Sequence, residues 1–445
     1  MSLAANPPIS EAGTVRTDGF GVGAFIFTAT LLFFLITTTP FADLTALTSV
    51  DAAAEKSNVV NQLVFLGLTG ATWAAGLASP MRGEFMRPRI LIGMMLLWFV
   101  GISVISSNAG LAVKQVILAT LTIGNASVFL LLPRSDGQFA RMMAFGFLAM
   151  LALSYWGVVF LPRYAIHQAD EIREPINAGL WRGHFTHKNV AAAMMVLAAF
   201  VGLFVWSMGM KIRGAILVVG ALVFLAHTGG KAASGSLPAV LIIAWAFERF
   251  PILRAPLVLG GAALFNFIAI GSAGYPAINE FVVSLGVDPT FTNRSDVWRV
   301  GFAALTESPW LGHGFQSFWQ TDEMLAKAGR GHDWAYAAFN GHNGFLDLML
   351  TTGIPGFVLA LTWILVLPLR DVSRAKRTDN NPALTTLFVR IWLYGTFQAC
   401  LESVFFQSGS PLWVMMMVAV FGLRLQARAS VVHEERERMA SPAAA

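Results

Sequence analysis

Long, unbroken apolar runs separated by short polar stretches set the pattern of this chain. Twelve of them read as helices, at roughly 20–41, 59–79, 88–106, 110–132, 139–161, 189–209, 214–229, 234–249, 253–272, 345–369, 384–402 and 409–427. A helix needs about 20 apolar residues to cross a bilayer, whereas barrel strands are about 10 residues long and alternate. The pattern therefore predicts an all-α polytopic integral membrane protein with about 12 transmembrane helices. The seventh and eighth runs are the shortest. Two polar interruptions are long, at 162–188 and 273–344, and the second sets a large loop between helices 9 and 10. The organisation predicted is a tail at 1–19, helices 1–9 over 20–272, the loop at 273–344, helices 10–12 over 345–427, and a tail at 428–445. No internal repeat or low-complexity segment stands out. The first run begins near Phe20 and is long enough to span, so a cleavable signal peptide is not expected.

Composition agrees. Of 445 residues, 56% are hydrophobic and 12% charged, with a mean hydropathy of +0.64. A soluble domain carries about twice that share of charge. The net charge of +5 and pI near 9.6 do not indicate nucleic-acid binding. Short basic loops at 81–89, 133–141, 210–213, 247–254 and 370–377, with the two tails and Arg424 at the end of the last run, hold 18 of the 30 Lys and Arg residues. By the positive-inside rule, both termini are cytoplasmic and the loops 162–188 and 273–344 face outward. The partner this implies is the lipid bilayer, with no nucleic acid. The single cysteine, Cys400, allows no intrachain disulfide. Lys114, Glu402 and Arg390 read as snorkelling residues near helix ends. No chain of intramembrane acids is visible, which weighs against an ion-coupled transporter.

Chemistry is concentrated in Thr292–Gly344, which holds four tryptophans and three of the eight histidines. Arg294 and Trp298 are four apart and share a helix face. An outward arginine suits an anionic head group, because guanidinium offers a fixed fork of donors and keeps its charge. The alternative is a surface Arg–Asp pair beside an interfacial tryptophan. His342 stands at the boundary with the tenth run. It can take a proton from an attacking hydroxyl, with Asn343 or Asn340 capping the helix; it can equally be a satisfied interfacial histidine. His313 and His332 lie in glycine-rich turns and are weaker candidates. Arg182, His184, His187, Lys188 and Asn189 crowd before the sixth run. Two histidines three apart lack the further ligands zinc requires, so a basic rim for pyrophosphate or sugar is the better reading, with no metal and no cofactor. Lys231 lies at the next outward turn and extends that rim or snorkels. The loop tryptophans stack on sugars or pack in the interface.

These pieces, in this order, resemble the bacterial O-antigen ligase and polysaccharide polymerase family, and the resemblance covers most of the chain. GHFTHKN at 183–189 is similar to that family's G-x-x-x-H-K-N, typical of rhizobial-type exopolysaccharide polymerases. NRSDVW at 293–298 resembles R-x-x-x-W, LGHGFQSF at 311–318 resembles L-G-x-G-x-x-S-F, and GHNGFLDLMLTTGIPG at 341–356 resembles H-N-x-x-L-x-x-x-x-x-x-G-x-x-G. Two departures stand out. The family's Ser-Arg-Gly-like turn reads TGGKAASGS here, with Lys231 as its cation, and Thr351–Thr352 replace the acid common before the G-x-x-G pair.

The resemblance implies a metal-independent, inverting glycosyltransferase of the inner membrane, acting at its periplasmic face. Its donor would be an undecaprenyl-diphosphate-linked glycan. Its acceptor would be a second lipid-linked glycan in a polymerase, or lipid A core in a ligase, and the HKN motif favours the polymerase. Arg294, with Arg182, Lys188 or Lys231, would neutralise the diphosphate; His342 would deprotonate or orient the acceptor; Trp298 and Asn343 would line the substrate site. Chain-length regulator and flippase proteins are the implied protein partners. The rivals are a transporter or flippase of the same lipid-linked glycan, and a structural subunit of an export complex.

Overall fold

The computed structural model describes residues 21–36, 40–45, 59–171, 174–286, 288, 290–291, 294–328, 333–375 and 381–428. Among these there is no strand; one isolated antiparallel bridge joins Ile166 and Trp181. A helix lies in each of the twelve apolar segments: α1 Val22–Leu35, α2 Val59–Ala78, α3 Arg89–Val104, α4 Ala109–Phe129, α5 Asp136–Phe160, α6 Lys188–Ser207, α7 Lys211–Thr228, α8 Lys231–Arg249, α9 Gly261–Gly274, α12 Gly344–Leu361, α13 Pro382–Gln398 and α14 Pro411–Gln426. Between α9 and α12 come α10 Pro276–Ser284 and α11 Arg294–Glu307.

Among the described residues, seven helices are long and apolar enough to cross a membrane: α2, α4, α5, α6, α7, the run Pro251–Gly274 that contains α9, and the run Gly344–Ala375 that begins as α12. Three more, α1, α3 and α14, are apolar but shorter. The protein is thus a polytopic helical membrane protein. The short seventh run is long enough once Lys211–Arg213 joins the helix. The eighth, α8, opens on the polar KAASGSLP and falls short.

The core gathers around α6, α13 and α14, whose residues are buried on nearly every side. Helices apolar all round belong there, since a membrane helix at the centre has no polar face to show. Trp363, Trp392, Trp413 and Tyr394 fill it. A second, smaller core belongs to the segment between α9 and α12. Helix α11 buries Val297, Trp298, Gly301, Ala304 and Leu305, whose steps of three and four along the helix make the stripe of an amphipathic helix. That stripe packs with Phe318 and Met324 onto Ala269 of α9 and Leu346 and Leu350 of α12. The polar segment is therefore clamped to two apolar helices.

One break positions this clamp. Helix α12 is interrupted at Gly353, which has φ 65° and ψ 179°. A break in an apolar helix frees backbone groups that lipid cannot satisfy, so protein must. Leu350 O accepts from His313 N (3.1 Å), Thr352 O accepts from Trp98 Nε1 (2.9 Å), and Ile354 N donates to Pro309 O (2.9 Å). A Cβ on Gly353 would collide with the Trp310 carbonyl, and one on Gly312 (φ +67°) would lie 2.7 Å from Gly353 N. The glycines of the L-G-x-G and G-x-x-G motifs thus meet back to back, and their role is packing. Gly353→Ala is expected to destabilise by at least the ~1–3 kcal/mol of a strained positive φ, with the collision added. Gly235→Ala, in an open helical position, is the matched control. Thermal unfolding of both variants in detergent checks this; equal midpoints would refute it.

Candidate functional site

The site is built where three chain segments meet at the start of α12. Asn343 caps that helix, its Oδ1 accepting from Leu346 N at 2.9 Å. Its Nδ2 donates to Asn266 Oδ1 (2.7 Å) and to Cys400 O (2.8 Å). Gly344 N donates to Ala399 O (2.7 Å) and Glu402 O (3.1 Å). The first amide of α12 and the last carbonyls beyond α13 therefore satisfy each other, which seats the turn after α13 on the α12 N-terminus. That turn carries Glu402.

His342 has φ +47°, a strained conformation for a non-glycine residue. Its neighbours hold it. Trp298 Nε1 donates to Gly341 O at 2.9 Å, Gly341 N donates to both Asp347 oxygens (2.9 and 3.1 Å), and His342 N donates to Asn340 Oδ1 at 3.0 Å. Such strain persists only where surroundings over-determine it, and it clusters at functional sites.

Arg294 and His342 converge on one carboxylate. Arg294 Nη2 meets Glu402 Oε1 at 2.6 Å, and His342 Nδ1 meets Glu402 Oε2 at 3.3 Å. Burial alone would push the Glu402 carboxyl up; the His342 hydrogen bond and the Arg294 charge outweigh it and hold the group below its ordinary range. Facing a carboxylate, Nδ1 is the donor, so the neutral ring keeps its lone pair on Nε2. Among the described residues Nε2 has no hydrogen-bond partner, and the His342 side chain is 40% exposed. Among those residues Arg294 has Glu402 as its one side-chain partner, so its other N–H groups remain for an anion.

The other expected residues sit differently. Trp298 is fully buried and acts as a strut under Gly341 rather than as an open stacking surface. Asn343 is buried in its cap. Arg182 is also fully buried; Nη1 donates to Phe185 O (3.0 Å) and Nη2 to Ala42 O (2.7 Å), so it ties loops together instead of lining a rim. His184 is buried between Ser154 Oγ (2.9 Å) and Leu35 O (3.1 Å), and burial pushes it down to about 4, so it is neutral. His187 caps α6, with Nδ1 accepting from Asn189 N (3.0 Å) and Nε2 donating to Glu174 Oε2 (2.9 Å). The His187 bond pulls Glu174 down to about 2. His187 also lies close enough to Glu402 to act on its charge, which brings the first loop up to the site.

Lys188 and Lys231 open α6 and α8, whose N-termini touch at Ala192 and Gly230. Their ammonium groups are near enough to repel, and neither side chain has a hydrogen bond among the described residues. They form a second cationic spot beside the His187–Glu174 pair. His313 bridges Ala304 O and Glu323 (both 2.9 Å) inside the α11 module, away from Glu402. His332 lies outside the described residues.

Sequence reasoning missed two acids. Glu402 reads as a snorkelling residue, yet it is the sole acid in 384–427, and an acid within an apolar run is functional by default. Asp347, one helical turn past Asn343, receives Trp319 Nε1 (2.8 Å), Gly341 N and the Ser403 hydroxyl.

Residues 214–361 match the family model described as O-antigen ligase. The match takes in Arg294 and His342 and ends before Glu402. The exopolysaccharide production protein ExoQ of Rhizobium meliloti (strain 1021) is 30% identical over 146 residues. That alignment covers 32% of this chain and 32% of ExoQ, so about a third of that curated relative is matched. Both findings bear out the family resemblance; three of its four motifs lie within 214–361, and GHFTHKN at 183–189 lies before it.

Proposed function

We propose that this chain, a member of the O-antigen ligase and polysaccharide polymerase family, polymerises undecaprenyl-diphosphate-linked repeat units into exopolysaccharide. In this reading all twelve apolar helices cross the inner membrane, both termini are cytoplasmic, and the α11 module with the His342 site faces the periplasm. The observation that carries it is the meeting of Arg294 and His342 on Glu402, with His342 Nε2 left open. An acceptor hydroxyl gives its proton to Nε2 as its oxygen attacks the anomeric carbon. The bond from that carbon to the diphosphate breaks, and lipid diphosphate leaves with the electron pair. One displacement inverts the anomeric centre. Glu402 stabilises the imidazolium through Nδ1–H, and Arg294 takes the charge that grows on the leaving group. Lys188 and Lys231 supply further positive charge at the rim. The HKN motif and the likeness to an exopolysaccharide production protein favour polymerase over ligase.

Deleting the gene in its host and analysing lipid-linked and surface glycans by mass spectrometry tests this. Single repeat units accumulating on lipid diphosphate, with surface polymer lost, is the expected result. Finished polymer stranded on lipid beside bare lipid A core would mean a ligase, and unchanged glycans would end the enzymatic reading.

A further inference from the structure

We infer that Asp347 is a positioning residue that sets the His342–Glu402 geometry; this rests on the reading of His342 as the base. Its carboxylate bridges the two site loops, through a backbone amide of one and a side-chain hydroxyl of the other. Gly341 N, adjacent to His342, donates to both oxygens at 2.9 and 3.1 Å. The hydroxyl of Ser403, adjacent to Glu402, donates to Oδ2. Trp319 Nε1 donates to Oδ1 at 2.8 Å and fixes the carboxylate plane from a third segment. Asn340 Oδ1 accepts from His342 N at 3.0 Å and lies 3.1 Å from Ser403 Oγ, where it shares the single Ser403 proton with Asp347.

The chemistry of this hub is one-sided. Gly341 N and Trp319 Nε1 can only donate, whereas the Ser403 hydroxyl could also accept, and Gly341 N needs an acceptor at both oxygens. An amide of the same shape, whichever way it turns, sets its N–H₂ against the Gly341 N–H and must lose that bond on one side. Losing Gly341 leaves the strained φ of His342 to Trp298 and Asn340 alone; losing Ser403 leaves the turn carrying Glu402 held by its carbonyls on Asn343 and Gly344. Either lets the 3.3 Å contact between Nδ1 and Oε2 lengthen. With Nδ1 unanchored, the proton divides between the two ring nitrogens, and the open lone pair on Nε2 is no longer assured. Misplacement by about 1 Å costs on the order of 10²-fold in rate.

The test uses the full chain in lipid nanodiscs with ¹⁵N-labelled histidine, the His342 signals assigned by difference from His342→Gln. Wild type should show one tautomer, protonated at Nδ1. Asp347→Asn should show averaged nitrogen shifts, and Ser403→Ala a smaller change in the same direction. In the deletion host, Asp347→Asn should lower polymer formation about 10²-fold, but add little to Glu402→Gln, since both act through one contact. A wild-type tautomer in Asp347→Asn, or a loss that adds in full to that of Glu402→Gln, would overturn the inference and leave a merely structural acid. If Asp347→Asn does not fold, Ser403→Ala decides: an unchanged tautomer there overturns it. The spectroscopic readout needs no turnover, so it stands apart from the function itself; if His342→Ala retains polymer, it is the reading of His342 as base that fails.

Discussion

His342→Ala is expected to lower glycan transfer by about 10²–10⁴-fold, the range for loss of a positioned general base. The fold should survive. His342 is partly exposed, and the bonds that seat the α12 N-terminus come from Asn343 and Gly344. Alanine even keeps the backbone N–H that bonds Asn340. What disappears is the one lone pair that faces open space beside Arg294. His342→Gln separates the roles of base and positioner. Glutamine can hydrogen-bond a hydroxyl but cannot carry its proton, so a variant that regains most activity would show that His342 only orients the acceptor. The substrate for both measurements is the lipid-linked repeat unit that the deletion strain should accumulate. A flippase would tolerate either change, because no proton moves in its work.

Much of this architecture is legible in the sequence because bilayer helices announce themselves. All twelve apolar runs contain helices, and the two residues singled out for chemistry, Arg294 and His342, are the two that meet. What pattern reading cannot supply is the third partner. Glu402 falls at the end of an apolar run, where a snorkelling acid is the ordinary reading. Its helix in fact ends at Gln398, because carbonyls beyond that point are satisfied by Asn343 and Gly344, more than fifty positions earlier. Periodicity sees only near neighbours. The same blindness affects Trp298 and Arg182. A tryptophan or arginine in a polar loop looks available to a ligand, and only packing shows that one is a strut and the other a tie between carbonyls. The motif glycines Gly312 and Gly353 likewise look like loop punctuation until their backbones are found in contact.

Arg294→Ala is expected to lower transfer by about 10²–10³-fold, as for removal of one donor to a developing anion. The effect should fall mainly on kcat, since the leaving diphosphate gains charge in the transition state that it lacks when bound. Arg294→Lys should recover part of the rate: lysine restores a point charge but not the fork that can hold Glu402 and phosphate oxygens together. The same variant makes a pH prediction whose sign is fixed by Glu402. Its carboxyl is depressed, so the His342–Glu402 contact is intact above the ordinary carboxylate pKa and is lost as pH falls through the lower folded value. Arg294 is one of the groups holding it down against burial. Removing that guanidinium leaves burial less opposed, so the Glu402 pKa rises and the acid limb of the pH–rate profile moves to higher pH. Glu402→Gln has no carboxyl to titrate and should lose the Glu402 step, keeping only the limb set by protonation of the His342 base. An Arg294→Ala enzyme with a lowered rate but an unmoved acid limb would show that Arg294 acts on substrate without tuning Glu402. An unmoved rate would remove Arg294 from the reaction altogether.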